Sequence, residues 1–211
     1  MLVLHDNPRS LCAQRVRFLL AELGLPYERR TVPFGPERPG WHRGVNPVGG
    51  IPALVDGDFH MAESVAILRY LAAKEGRDDL YPPGLRERAT VDWLLDAIVS
   101  ELRPAVLELS MAAFGLRVGR GIFAEEPEPE RVPEVFAAQR RRFESVSALL
   151  GPEPWACLER FTIADAAAAP MLWRFVRAGA GLAEHPRLAR WAEAVCGRPA
   201  WADAVAPETG I

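Results

Sequence analysis

The most constraining feature of the sequence is residues 46–67, NPVGGIPALVDGDFHMAESVAI. The apolar run after Pro52 predicts a short buried strand. Asp56-Gly57-Asp58 predicts a tight hairpin, because Asp-Gly readily adopts the positive φ that such turns need. Residues 59–61 are long enough to return as a second strand. An apolar pattern with helical spacing begins directly after Glu63-Ser64. The segment therefore predicts a β-hairpin that leads into the N-terminus of a helix.

The start of that helix is a candidate binding site. Glu63 and Ser64 place a carboxylate and a hydroxyl in its first turn. Free backbone N–H groups and the helix dipole make such a turn a site for anions. Pro52 cannot donate a hydrogen bond to a sheet, so it belongs at the start of a strand or in a turn. These residues predict a polar site beside the hairpin.

The same segment resembles the glutathione S-transferases. The elements concerned are Gly-x-Ile-Pro-Ala-Leu and the Glu-Ser-x-Ala-Ile that follows it, which are similar to the glutathione-binding half of that family. The resemblance implies a cis bond between Ile51 and Pro52 and backbone pairing of Ile51 with the cysteinyl part of glutathione. It also implies that Glu63 and Ser64 hold the γ-glutamyl end.

Residues 1–78 are predicted to form a thioredoxin-like α/β domain. A short strand at residues 2–4 precedes a helix whose apolar residues Val16, Leu19 and Leu20 share one face. A second strand is predicted at residues 27–32. Together with the hairpin and the helix after Glu63, these elements give a compact mixed domain.

Ser10 lies between the first predicted strand and the first predicted helix. Residues 10–17, SLCAQRVR, resemble the serine-type transferases of the theta and zeta classes, whose first serine donates to the glutathione sulfur. A hydroxyl donor at a helix N-terminus stabilises a thiolate and lowers the thiol pKa from its free value of about 8.5. The alternative is that Ser10 is only the N-cap of the helix, which is the commonest role of such a serine.

Cys12 is interpreted as structural or auxiliary. A cysteine near a helix N-terminus can be reactive, and zeta-class sequences carry one here. However, Leu11 replaces the second serine of their Ser-Ser-Cys pattern, and the sequence contains no Cys-x-x-Cys. The resemblance therefore leaves both the zeta-type isomerase activity and the role of Cys12 open.

The resemblance implies that the loop predicted at residues 34–44 covers the glycine end of glutathione. Trp41 and His42 are candidate contacts, and packing is the alternative role for an aromatic residue there. Gly50 differs from many relatives, which carry a lysine at that position. The positive charge of that lysine is then either missing here or replaced by Arg38, by Arg43 or by a backbone N–H group.

The second half of the sequence is predicted to be an all-helical domain over residues 85–211, after a linker at 79–84. An apolar stripe over residues 91–109 predicts a long buried helix that Pro104 should bend. Arg103 matches an arginine that theta-like transferases place beside the active site, and a solvated helix face is the alternative. Residues 125–133 are predicted to be a loop.

A capping box is predicted at the start of a later helix. Thr162 is its N-cap and Asp165 its third residue, and an apolar run follows. This pattern predicts a central helix of the second domain and resembles a folding motif of the transferase C-terminal domain. Its role is structural, and Asp165 is given no catalytic part.

Composition excludes several other classes of function. Its 49% hydrophobic and 25% charged residues are typical of globular proteins, and its net charge of −3 gives no electrostatic reason for a nucleic acid or anionic membrane partner. The three cysteines have no metal-ligand spacing. The sequence has neither a long apolar run nor a leader pattern, so we expect a cytoplasmic protein without a metal.

The predicted fold class is therefore α/β plus all-α, and the predicted protein is similar to a serine-type, theta- or zeta-like glutathione transferase. The resemblance implies a homodimeric enzyme that conjugates glutathione, as co-substrate, to a small hydrophobic electrophile near Met111, Phe114 and Leu116. The alternatives are a glutathione-dependent isomerase, peroxidase or dehalogenase, or a binding module without catalytic activity. The sequence does not identify the electrophile.

Overall fold

A four-stranded mixed sheet forms the N-terminal part of the molecule. Its strands are β1 (Leu2–Asp6), β2 (Tyr27–Thr31), β3 (Ala53–Asp56) and β4 (Phe59–Ala62), in the spatial order β2-β1-β3-β4. β1 runs parallel to β2 and antiparallel to β3, so the chain crosses over between β1 and β2. β3 and β4 form the predicted hairpin, in which Asp56 pairs with Phe59.

The structure is a computed structural model. It describes residues 1–35, 38–118, 122–124, 126–152, 154–179, 181, 183–203 and 205–208, with the backbone alone at 116–118 and 122–124.

Three helices accompany the sheet. They are α1 (Leu11–Glu22), α2 (Gly40–Arg43) and α3 (Ser64–Lys74). The predicted apolar face of α1 is buried, as are Leu68 and Leu71 of α3. The prediction of a loop over residues 34–44 was wrong at α2, because Pro39 has a φ of −54° that suits a residue leading into a helical turn.

The remaining helices form the C-terminal part. They are α4 (Leu85–Ala97), α5 (Arg103–Phe114), α6 (Val132–Leu149), α7 (Ile163–Ala178), α8 (Pro186–Cys196) and α9 (Pro199–Ala202). The mixed α/β and all-helical fold class is thereby confirmed. In the described part of the chain, no helix is both long enough and apolar enough to cross a membrane.

The predicted long helix is interrupted before its proline. A π-helical turn, Ile98–Leu102, joins α4 to α5, and Pro104 lies in the first turn of α5, where a missing N–H has little cost. The irregularity therefore lies upstream of the predicted bend. Val99, within this turn, is 39% exposed, although the apolar stripe predicted that it would be buried.

A short antiparallel hairpin follows α5. β5 (Leu116–Val118) pairs with β6 (Ile122–Ala124), a hairpin that was not predicted from the sequence. Part of the loop predicted at residues 125–133 is helical, because Pro129–Arg131 forms a 3₁₀ turn and α6 begins at Val132. Proline suits the first turn of a helix as well as a loop, so its presence alone does not separate the two.

The predicted capping box at the start of α7 is confirmed. Asp165 accepts hydrogen bonds from the backbone N–H groups of Thr162 and Ala156 and from Nε1 of Trp191, each at 2.8 Å. Burial raises the pKa of Asp165 to about 6, although these donors favour the charged form. α7 is buried along most of its length and packs against α1, so it joins the two parts of the molecule.

Residues 75–84, between α3 and α4, contain no helix or strand. Two hydrogen bonds join this segment to the helical part. Ile163 N donates to the Leu80 carbonyl at 3.1 Å, and Arg160 Nε donates to the Asp79 carbonyl at 3.0 Å. The domain bounds 1–78 and 85–211 remain a prediction.

Candidate functional site

An open cleft lies where the N-termini of α1 and α3 meet the segment before β3. It contains about 230 Å³ of empty space and is lined by Cys12, Asn46, Gly50, Ile51, Pro52, Glu63 and Ser64. The predicted ligand-binding residues before the hairpin and at the N-terminus of α3 therefore lie together in this cleft. The bond between Ile51 and Pro52 is cis, as predicted.

Ser10 is the N-cap of α1, and its hydroxyl also contacts a residue of the cleft. Its Oγ accepts a hydrogen bond from Ala13 N at 3.2 Å and donates one to the Ile51 carbonyl at 3.4 Å. The second distance is long for a hydroxyl donor, so this bond is weak. The N-cap uses a lone pair, whereas a bond to a thiolate would use the proton. The two predicted roles of Ser10 are therefore compatible.

Glu63 precedes α3 in an unusual backbone conformation. Its φ of 66° lies in the left-handed region, which costs a non-glycine residue about 1 kcal/mol. Its side chain caps none of the N–H groups of α3 and is exposed at the cleft. Ser64, the first residue of α3, is buried. An exposed carboxylate thus lies beside uncapped backbone donors, which suits a ligand carrying both a cation and an anion.

The Gly50 carbonyl is held by two side chains. It accepts hydrogen bonds from Asn46 Nδ2 at 2.8 Å and from His42 Nε2 at 2.9 Å. His42 is fully buried, so its ring lies behind the cleft wall and not in the cleft. Trp41 is 38% exposed, and the Arg30 guanidinium lies 4.4 Å from the centre of its ring.

The segment that carries Gly50 is also fixed by an arginine. Arg38 Nε donates to the Gly49 carbonyl at 3.0 Å, and Gly49 has a φ of 76°. Arg43, the other arginine considered as a replacement for the missing lysine, is exposed on α2. Arg38 is therefore the candidate whose guanidinium lies against this segment.

Two buried arginines lie near the first turn of α1. Arg174 Nη2 donates to the Arg9 carbonyl at 3.0 Å, and Arg15 Nη2 lies 3.3 Å from Met171 Sδ. Their Nε and Nη1 atoms have no hydrogen-bond partner among the described residues. Burial lowers the pKa of both, that of Arg174 to about 10, whereas the charge of Cys12 raises them. The cleft side of α1 is therefore electropositive.

Among the described residues, those predicted from the second half of the chain do not line the cleft. Arg103 begins α5, and its charge acts unfavourably on Arg15, so it lies on the same side of α1. Met111 and Phe114 are partly buried in the last turn of α5, roughly 12–16 Å along the helix from Arg103. The side chain of Leu116 lies outside the described residues.

Several residues of this site were not predicted from the sequence. Asn46 was detectable, because its Oδ1 accepts from Val48 N at 3.2 Å in the local turn that Asn-Pro favours. His5, whose Nδ1 lies 3.0 Å from Nδ1 of His42, and Arg174 join the site through contacts with residues far along the chain. Among the described residues, no three His, Cys, Asp or Glu side chains form a group that could hold a metal ion.

Comparison with known proteins identifies the family. Residues 9–74 match the family model described as glutathione S-transferase, N-terminal domain, and residues 129–194 match that of the C-terminal domain. The chain is 30% identical over 208 residues to glutathione S-transferase GstB of Escherichia coli (strain K12), with 95% of each protein covered. This chain belongs to the glutathione S-transferase family.

Theta-class proteins are among the relatives of this glutathione S-transferase. It is 32% identical over 181 residues to glutathione S-transferase theta-3 of Mus musculus, covering 82% of this chain and 72% of the relative. Its fold matches a crystal structure of human glutathione transferase theta-2, in complex with glutathione and an unknown ligand, with a TM-score of 0.79 and 27% identity. That match covers 99% of this chain and 88% of the other. Its relatives thus include transferases named theta and others named zeta.

Proposed function

We propose that this transferase binds glutathione in the cleft, stabilises its thiolate with the Ser10 hydroxyl and conjugates it to a small hydrophobic electrophile. The observation that carries the proposal is that Ile51 and the Glu63-Ser64 pair line one cleft, while the Ser10 hydroxyl contacts the Ile51 carbonyl. These residues come from three separate segments of the sequence, and each offers the chemistry that one part of glutathione requires.

The γ-glutamyl end of glutathione carries an ammonium and a carboxylate. In the proposed complex the ammonium binds the exposed Glu63 carboxylate, and the carboxylate binds Ser64 and the uncapped N–H groups of α3. The cysteinyl part pairs with the backbone of Ile51. This arrangement directs the thiol towards Ser10, whose hydroxyl lies 3.4 Å from the Ile51 carbonyl oxygen.

The thiolate gains further support from the electrostatics of α1. Ser10 caps this helix, so the positive end of the helix dipole lies beside the proposed position of the sulfur. The guanidinium groups of Arg15 and Arg174 add positive charge on the same side of the helix. Cys12 lines the cleft, and we assign it an auxiliary role.

The second substrate is proposed to bind between the N-terminal and helical parts, towards Met111, Phe114 and Leu116. Arg103 is proposed to contribute positive charge at that side of the cleft. We assign residues 1–78 to the glutathione-binding domain and residues 85–211 to the helical domain, in a protein of the cytoplasm.

We further propose that the protein is a homodimer. Two aromatic side chains near α3 and α4 are exposed in the single chain, Trp93 at 63% and Phe59 at 48%. Exposed aromatic residues of this size are frequent at interfaces between chains. A light-scattering mass of a single chain, 23.3 kDa, at micromolar concentration would contradict this assignment.

The experiment that tests the function combines binding with turnover. Isothermal titration calorimetry with reduced glutathione should show one site per chain, and the ultraviolet thiolate absorbance should appear on binding at neutral pH. A panel of aryl halides, epoxides and organic peroxides should then identify conjugation or reduction. A protein that binds glutathione but turns over none of these compounds would favour the binding module, and the absence of binding would reject the proposal.

A further inference from the structure

Two buried histidines meet behind the wall of the cleft. His5 belongs to β1 and His42 to α2, and neither is more than 1% exposed. Their Nδ1 atoms are 3.0 Å apart, and the other ring nitrogen of His42 lies 2.9 Å from the Gly50 carbonyl oxygen. The three groups therefore form a continuous chain of hydrogen bonds from the sheet to the cleft.

The chemistry of this chain fixes where its protons are. A carbonyl oxygen only accepts hydrogen bonds, so Nε2 of His42 carries a proton. In a neutral His42 ring the Nδ1 atom then has a lone pair, and the proton between the rings belongs to Nδ1 of His5. The two rings thus have opposite tautomers, and His5 holds His42 in the one that donates to Gly50.

The Gly50 carbonyl belongs to the same peptide group as the N–H of Ile51. In the described part of the chain the cis bond is Ile51–Pro52, so the Gly50–Ile51 peptide is trans. Its C=O and N–H consequently point in opposite directions. The bonds from His42 and Asn46 to the carbonyl therefore turn the Ile51 N–H away from both side chains.

We infer that His42, held in one tautomer by His5, is a positioning residue that presents the Ile51 backbone to the cysteinyl part of glutathione. Glycines at positions 49 and 50 leave the backbone free to rotate, so its orientation must be set by side chains. His42 is fully buried, whereas Gly50 and Ile51 line the cleft, so the histidine acts through the peptide group. This inference rests on the proposed function.

The surroundings keep this pair neutral near neutral pH. Burial lowers the pKa of His5 to about 4, and the nearby charges of His42, Arg30 and His60 act in the same direction. Burial also lowers the pKa of His42, with Arg38 adding to the effect and the bond to Gly50 opposing it. A second proton on both rings would place N–H against N–H, so the contact requires at least one neutral ring.

The first test measures the tautomers directly in the unmodified protein. Nitrogen-15 NMR of the imidazole rings should show His42 protonated at Nε2 and His5 protonated at Nδ1. This readout needs neither glutathione nor turnover, so it remains valid if the proposed function fails. A His42 ring protonated at Nδ1 alone would overturn the inference.

The second test uses variants and glutathione binding. His42→Phe removes the donor and should weaken glutathione binding about three- to tenfold, the value of one hydrogen bond. The effect should be a higher KM for glutathione with kcat little changed, and His42→Gln, which keeps an amide donor, should recover part of the affinity. His5→Phe should cause a smaller loss, because His42 then also samples the other tautomer.

The matched control is His185→Phe. His185 is also buried, but its ring packs against Phe136 and Phe143 in the helical part of the molecule. This variant should bind glutathione as the wild type does. Unchanged affinity in a folded His42→Phe protein would overturn the inference, whereas failure of the wild type to bind glutathione would reject the proposed function instead.

Discussion

The N-termini of α7 and α3 show two different uses of an acidic residue at the start of a helix. At α7 the Asp165 carboxylate is buried and accepts three N–H hydrogen bonds, each at 2.8 Å. At α3 the Glu63 carboxylate is exposed, caps no N–H group and belongs to a residue with a φ of 66°. The first arrangement satisfies its own polar groups and stabilises the fold. The second leaves them free for a ligand, at a cost in conformational energy.

Arginines at the interface between α1 and the helical part show the same contrast. Arg198 forms a two-point ion pair with Glu22 at 2.6 and 2.7 Å, which joins the C-terminal segment to α1. Arg15 and Arg174 are more deeply buried, yet within the described part of the chain Nε and Nη1 of each lack a hydrogen-bond partner. Paired charges thus lie at one end of α1 and unpaired charges near the cleft.

The largest effect is expected at the satisfied helix start. Asp165→Ala should lower the free energy of unfolding by about 3–5 kcal/mol, because it leaves three buried N–H groups without an acceptor. Urea denaturation measures the loss, with the exposed Asp58→Ala as a control. Turnover per folded molecule should not change. A loss below about 1 kcal/mol would show that the two helix starts do not differ as described.

The histidine pair should make stability depend on pH. The pKa of His5 is lowered from 6.5 to about 4 in the folded protein, so the unfolded chain binds the proton first as pH falls. The contribution of neutral His5 to the free energy of unfolding is complete above pH 6.5. It is lost between pH 6.5 and about 4, by up to ~3 kcal/mol. His5→Phe should flatten this part of a urea-denaturation profile, whereas a change at the exposed His60 should not. An unaltered profile would contradict the assignment.

The next effect concerns catalysis at the start of α1. Ser10→Ala should raise the pKa of bound glutathione and lower the rate at neutral pH about tenfold or more, since one pKa unit corresponds to about 1.4 kcal/mol. Ser10→Thr should retain activity, because it keeps the hydroxyl. Ser10→Asp preserves the N-cap but not the donor and should lose activity, which separates the two roles.

Two further variants complete the test of Ser10. Ser145→Ala, an equal change on the exposed face of α6, should leave both rate and stability unaltered. Ser10→Ala/Cys12→Ala shows whether Cys12 compensates for the missing hydroxyl. If Ser10→Ala and Ser10→Ala/Cys12→Ala both keep wild-type turnover and thiolate absorbance, another group activates glutathione.

The smallest effect is expected at the open helix start. Glu63→Ala should raise KM for glutathione several-fold with little change in kcat, because the proposed contact is the same in ground and transition states. Glu63→Gly should lose the same affinity but be more stable than the alanine variant, since glycine adopts a positive φ without strain. Glu75→Ala, at the other end of α3, is the control. Equal KM values in all of these proteins would reject the site.

The sequence determined the features that depend on neighbouring residues. The Asp56–Phe59 hairpin, the helix beginning at Ser64 and the Thr162–Asp165 capping box follow from turn chemistry and periodicity over a few positions. The N-cap role of Ser10 has an equally local signal, whereas the cis bond before Pro52 was implied by the family resemblance. These local preferences do not depend on how the helices pack.

The tertiary structure decided which of these features meet and how they are oriented. The contact between His5 and His42 spans 37 positions, and the bond from Arg174 to the Arg9 carbonyl spans 165. Such contacts depend on the packing of α2 and α7 against the sheet and α1, to which no local pattern refers. The same applies to the Gly50 carbonyl, because glycine has little conformational preference of its own and its orientation is set by the side chains folded against it.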